Sequence, residues 1–150
     1  MASDLIVFAK DYPEVRLMVD VKLDVSRPFD RDPSVMKLTR SLWGTNCHYG
    51  LIVTPTETYV LRDDFTISGP ESIRITDVLR TETLFSRMFS PISETISERE
   101  LQILTWHWLS RLSTSYESAL PDDPQVLRTF FPDLVGAIAD GRVEAEVLIG

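Results

Sequence analysis

The chain opens with two mostly apolar runs, 4–9 (DLIVFA) and 15–22 (VRLMVDVK), separated by the polar, proline-bearing segment 10–14 (KDYPE). Runs of this length, rich in Val and Ile and bounded by turn residues, predict a β-hairpin. With the hairpin folded about Tyr12, Asp4 lies directly across from Asp20. Side chains alternate with period two, so Lys22 shares their face. A polar, proline-rich connection follows at 26–33. Asp32-Pro33 reads as an N-cap with proline in the first turn of a helix reaching about Leu42. Met36, Leu38, Leu42 and Trp43 would supply its apolar contacts, and Gly44 and Asn46 would end it. Segments 48–54 and 57–62, rich in β-branched and aromatic residues, predict two more strands joined at Pro55-Thr56. The first half therefore reads β-β-α-β-β.

The pattern then turns helical. A helix is predicted over 75–88, capped by Thr76 or Asp77. Ser97 to Glu100 is a capping box, in which the serine oxygen and the glutamate carboxylate each satisfy a backbone donor. The helix it opens runs to about Leu112 or Ser113, with Leu101, Leu104, Thr105, Trp108 and Leu112 along one stripe and Trp106 and His107 off it. Segment 121–124 (PDDP) breaks the chain. A further helix spans about 125–139 with an interruption near Pro132, and Asp140-Gly141 turns into a last strand over 143–149. There, alternating Val143, Ala145, Val147 and Ile149 suggest one buried face.

At 150 residues this is the length of one domain, divided into a core over 1–65 and an acidic helical half over 66–150 with its terminal strand. No apolar stretch approaches the roughly 18 residues of a membrane span. The start lacks the basic and apolar regions of a signal peptide. The lone Cys47 cannot form an internal disulfide, so a reducing cytoplasm is the expected location. Beside His48 it could be a nucleophile, but a buried structural thiol is the better reading. The net charge of −8 argues against a protein that coats nucleic acid nonspecifically. That excess is uneven: residues 1–50 hold seven Lys/Arg and seven Asp/Glu, while 51–150 hold eight against sixteen. Just beyond the hairpin, Arg27, Arg31, Lys37 and Arg40 outnumber Asp30 and Asp32. They form a candidate phosphate-binding strip, with a solvated helix face as the plainer alternative.

The hairpin carries the chemistry. Like charges directly opposite on a sheet are destabilising, and a cation between Asp4 and Asp20 would remove that penalty. Two carboxylates within about 5 Å can hold a hard ion such as Mg²⁺ and leave positions for water and phosphate. Such an ion polarises a phosphoryl oxygen and lowers the pKa of bound water. A lysine beside it, here Lys22, can neutralise charge growing on the phosphate or orient the attacking water. Asp20 and Lys22 also interrupt an otherwise apolar strand, where unpaired charge is expensive. Lysine is scarce as well, with three against twelve arginines. The plain alternative is a surface pair of Lys22 with Asp20 or Asp24 at the open end of an edge hairpin.

Asp4, about fifteen intervening residues, then Asp20-Val21-Lys22 at the end of an apolar strand resembles the PD-(D/E)xK nuclease superfamily. The β-β-α-β order and segment 48–54 (HYGLIVT) with its following strand are similar to the amino-terminal nuclease domains of type I restriction enzymes, over roughly residues 3–62. The resemblance implies an α/β, restriction-endonuclease-like mixed sheet. It also implies Mg²⁺ or Mn²⁺ held by Asp4, Asp20 and the Val21 carbonyl, Lys22 assisting the nucleophile, and DNA as substrate. That family usually has a helix before its first strand. Here only three residues precede Asp4, so the face it would cover falls to helices of the second half or to another subunit, or else the site is incomplete.

The remaining candidates are weaker. His48 and His107 lack metal-pair spacing and read as core or partly buried histidines. Ser110, Ser113 and Ser115 have no histidine and acid placed for a triad, and no glycine-rich phosphate loop is present. The rival to a nuclease is a non-catalytic module of the same fold. Its acidic helical half would bind a partner or another copy, and its last strand would pair with a sheet edge across subunits. A third option is an acidic mimic of nucleic acid.

Overall fold

The computed structural model describes residues 4–11, 13–65 and 67–145. The hairpin forms as its pattern predicts: β1 (Leu5–Phe8) runs antiparallel to β2 (Val15–Val21), with Leu5 opposite Val19 and Val7 opposite Leu17. Helix α1 (Pro33–Gly44) crosses over from β2 to β3 (Tyr49–Val53), which pairs parallel to β2 with Asp20 opposite Ile52. β4 (Glu57–Asp63) returns antiparallel to β3.

Asp32 caps α1. Its buried carboxylate accepts from the backbone N–H of Ser34, Val35 and Ser26 and from the Ser26 hydroxyl. Burial alone would raise its carboxyl, but these hydrogen bonds hold it below the ordinary value. Such a cap is worth about 1–2 kcal/mol. Through Ser26 it also ties the helix start to the loop leaving β2. At the other end Asn46 adopts a left-handed φ of 55°, and the Cys47 N–H closes on Leu42 O. The buried stripe is Val35, Leu38 and Leu42, whereas Met36 and Trp43 are 40% and 48% exposed rather than core contacts.

The helix expected over 75–88 is a strand for most of its length. β5 (Ile73–Arg80) pairs with β4 from Asp63–Ile73 to Glu57–Arg80, and only Thr81–Leu84 is helical (α2). Ile73 and Ile75 alternate with Arg74 and Thr76 toward the front core, and past a register shift opposite Val60 and Leu61 the buried Leu79 alternates with Val78 and Arg80 toward the back core. β-branched residues stiff at χ1 suit such a strand better than a helix. The capping box forms by half: Ser97 Oγ accepts from the Glu100 N–H and donates to Glu100 Oε1, which meets the hydroxyl and not a backbone donor, and α3 runs over Glu98–Thr114. Leu101, Thr105, Trp108 and Leu112 are buried, Leu104 only partly so. α4 (Tyr116–Ala119) follows. The helix expected over 125–139 is two, α5 (Pro124–Phe130) and α6 (Asp133–Ile138), separated at Pro132.

The last strand, β6 (Arg142–Ala145), pairs antiparallel with β1 of the same chain, and Val143 and Ala145 are its less exposed side. Val147 and Ile149 lie outside the described residues. Gly141 enters this strand so close to β1 that a Cβ there would overlap Phe8 O.

The protein is α/β, with a six-stranded mixed sheet in the order β5-β4-β3-β2-β1-β6. Its two faces bury different partners. Met18, Ile52, Tyr59 and Leu61 meet α1 on the front. Gly50 lets that helix approach, since a Cβ there would come within 2.7 Å of Leu42 Cδ1. Leu5, Val7, Leu17, Val19, Val21, Leu51 and Val53 meet α3, α5 and α6 on the back. Trp108 is the centre of the back layer. It is fully buried, with ring centroids 4.9 Å from Phe85 and 5.8 Å from Phe130, and its Nε1 donates to Ala119 O at 3.3 Å. Among the described residues no helix is long and apolar enough to cross a membrane.

Candidate functional site

The register that pairs Leu5 with Val19 carries Asp4 opposite Asp20, just beyond the end of β1. Their carboxylates interlock with the opposing backbone. The Asp4 N–H donates to Asp20 Oδ1 at 3.1 Å, and the Val21 N–H donates to Asp4 Oδ2 at 2.8 Å. N–H and C=O of one strand residue point to the same side, so the Val21 carbonyl also leaves the strand toward Asp4.

β2 is not at an edge: β1 and β6 lie on one side of it, β3 to β5 on the other. Asp20 is 2% exposed, and its neighbour across the sheet is Ile52. The surface pair at an open hairpin end is therefore not what forms. Burial first, and the Asp4 carboxylate second, push the Asp20 carboxyl up to about 6, while the Asp4 backbone N–H and the charges of Lys22 and Lys37 pull it down. Among the described residues neither Lys22 nor Lys37 makes an ion pair, although both are felt at Asp20. A buried carboxylate beside a second one, without a direct counter-ion, is the kind of perturbed group that marks functional sites.

Lys37 and Arg40, three residues apart, are neighbours on the exposed side of α1. Arg40 lines a groove of about 930 Å³ with Phe29, Met36, Ile73 and Ile75. Arg27 sits over the Phe29 ring at 5.0 Å, and Arg31 is exposed in the 3-10 turn Phe29–Arg31. Phe29 packs on Tyr59 with ring centroids 4.6 Å apart. Burial, then the nearby Glu57 that accepts from its hydroxyl at 3.4 Å, pushes the Tyr59 phenol up to about 12. Tyr59 follows Asp20 and Ile52 along one front-face row, a neighbour the sequence alone did not single out. Only the parallel β2–β3 register brings it there.

The expectation for the histidines fails. His48 and His107 are exposed, His48 edge-on to Phe65 at 4.9 Å, so neither is a core histidine. Trp106 is half-buried against the back core. Cys47 is buried as read, its thiol donating to Tyr49 O at 3.4 Å, and burial pushes it up to about 11, too high for a nucleophile at neutral pH.

Among the described residues no group of three His, Cys, Asp or Glu side chains is gathered. An ion at the hairpin would therefore draw on Asp4, Asp20, a backbone carbonyl and water, all hard oxygen donors. The chain matches no protein-family model, no curated protein and no solved structure.

Proposed function

We propose that this protein is a divalent-metal-dependent nuclease of the PD-(D/E)xK type that hydrolyses phosphodiester bonds of DNA. One observation carries the reading: Asp4 and Asp20 meet across the β1–β2 hairpin, with Asp20 buried and Lys22 acting on it. The order hairpin, crossover helix, parallel strand supports it. So does the back layer of α3, α5 and α6, which covers the face that the family's first helix would cover.

In this reading Asp4, Asp20 and the Val21 carbonyl hold Mg²⁺ or Mn²⁺. The oxygen-only donor set suits either ion. Once bound, the ion would supply Lewis acidity toward the phosphate and a more acidic water. The chain's own groups do the rest. Lys22, one residue past the strand and anchored by its N–H to Val53 O at 2.9 Å, presents an ammonium to the phosphate as negative charge grows on it. Arg27, Arg31, Lys37 and Arg40 carry the DNA backbone.

The test is cleavage of a plasmid in Mg²⁺ or Mn²⁺. Lys22→Ala is expected to lower the rate about 10²-fold or more with an unchanged melting temperature. An unaltered protein that cuts neither DNA strand in either ion would defeat the nuclease reading. The alternative is a non-catalytic module of the same fold, favoured by the exposed apolar cluster of Trp43, Phe65 and Ile67 around a cleft of about 400 Å³. A metal-indifferent dimer in light scattering would decide for it.

A further inference from the structure

Trp43 stands in the last turn of α1 and Asp63 at the end of β4, and Phe65 and Ile67 follow in the segment beyond. All four line one cleft of about 400 Å³, a volume within the range of small-ligand sites. The cleft lies at the opposite end of β3 from the candidate ion site. The Asp63 N–H donates to His48 O just before β3, whereas the Lys22 N–H donates to Val53 O at its far end. The presentation of Phe65 is imposed by its neighbours. Its φ is 57°, a left-handed conformation that bulky side chains rarely adopt, and its N–H donates to Asp63 Oδ1 at 2.9 Å. Such a backbone persists only where the surroundings determine it. Here it leaves an aromatic ring 67% exposed at the cleft.

Asp63 is the one ionisable group in this lining, to which Asn46 and Ser68 add neutral polar atoms. It is half-buried, and among the described residues its carboxylate makes no ion pair. Neighbouring cations are turned elsewhere. Arg62 donates to Thr129 O, Arg74 pairs with Asp64 at 3.2 Å, and Arg40 lines the adjacent groove. A lone carboxylate at an apolar wall favours a cation, and the net charge of −8 draws cations toward the protein. The aromatic rings narrow the choice, because their negative faces attract a cation that sheds water easily. A metal ion or a bare ammonium would keep its water. An alkylated ammonium instead buries its methyl groups on Trp43, Phe65 and Ile67 while its charge meets Asp63. We propose that this cleft binds the quaternary ammonium head of a small molecule of the choline type, held by Trp43 and Phe65 with Asp63 as its counter-ion. The site is separate from the hairpin carboxylates and does not depend on their role.

The experiment titrates the protein with choline chloride and with 3,3-dimethylbutanol, its neutral isostere, following the methyl protons of each by NMR. Ring currents should move the choline methyl signal upfield, and choline should bind about tenfold or more tighter than the isostere. Asp63→Asn keeps an oxygen to accept from the Phe65 N–H and loses only the charge; it should weaken choline about fivefold or more. Trp43→Ala should weaken it as much, with Trp43→Phe in between. Trp43 is exposed, so its variants should melt with the unaltered protein. Glu94→Gln, which removes an exposed charge outside the cleft, should bind as the unaltered protein does. Equal binding of choline and its isostere would overturn the proposal, as would an unmoved methyl signal at about 10 mM choline. A trimethyl-lysine peptide that binds about tenfold tighter than choline would give the cleft to a modified protein and overturn the small-molecule assignment. A dimer in light scattering that Trp43→Ala splits would give it to a second copy and overturn it too.

Discussion

Asp20→Asn is expected to stabilise the metal-free protein at neutral pH and to do nothing of the kind in acid. The folded state holds the Asp20 carboxyl at about 6, against 3.8 for the ordinary group. Below pH 3.8 both folded and unfolded chains carry the proton and the site is neutral to stability. Between 3.8 and 6 the folded chain binds a proton that the unfolded chain has lost, so stability falls as pH rises. Above 6 the charged carboxylate is fully imposed on the fold. At about 1.4 kcal/mol for each pH unit of that interval, the cost reaches roughly 3 kcal/mol.

Asparagine removes the charge and keeps a carbonyl oxygen to accept from the Asp4 N–H. Urea unfolding in EDTA should therefore show the variant more stable by about 1–3 kcal/mol at pH 7.5, with little gain or a small loss near pH 4. An equal destabilisation at both pH values would mean that Asp20 serves the fold and not a ligand.

The opposite behaviour is expected of Trp108. This side chain is fully buried between Phe85 and Phe130 and joins α3 to α4 through the bond to Ala119 O. Trp108→Ala leaves a cavity that the surrounding helices can close only in part, and large-to-small changes of this kind cost about 3–5 kcal/mol. Against a total of roughly 5–15 kcal/mol for a domain, that is enough to lower the melting temperature by ten degrees or more. Trp108 is uncharged and packs on Phe85, Phe130 and the Ala119 carbonyl, so the loss should be the same at pH 5 and pH 8. A loss under about 1 kcal/mol would mean that the back layer is not packed as described.

These two side chains also mark what could be read from the sequence. The Asp4–Asp20 pairing was legible because hairpin register follows from counting residues about the turn, and the period of two then fixes the face. The caps at Asp32 and Ser97 were legible for the same local reason. The fifth strand was not. Ile75, Val78 and Leu79 satisfy a helical spacing, and only pairing with β4 decides against it. Nor could local pattern show that β3 pairs parallel to β2 and makes it an interior strand. That pairing turns Asp20 from a surface charge into a buried one.

Calorimetric titration with Mn²⁺ at pH 7.5 bears most directly on whether the hairpin carboxylates form an ion site. The unaltered protein should take up one ion, and Asp20→Asn, folded and more stable, should take up none. Two curves that coincide, or no uptake by the unaltered protein, would contradict the assignment of Asp4 and Asp20 as metal ligands.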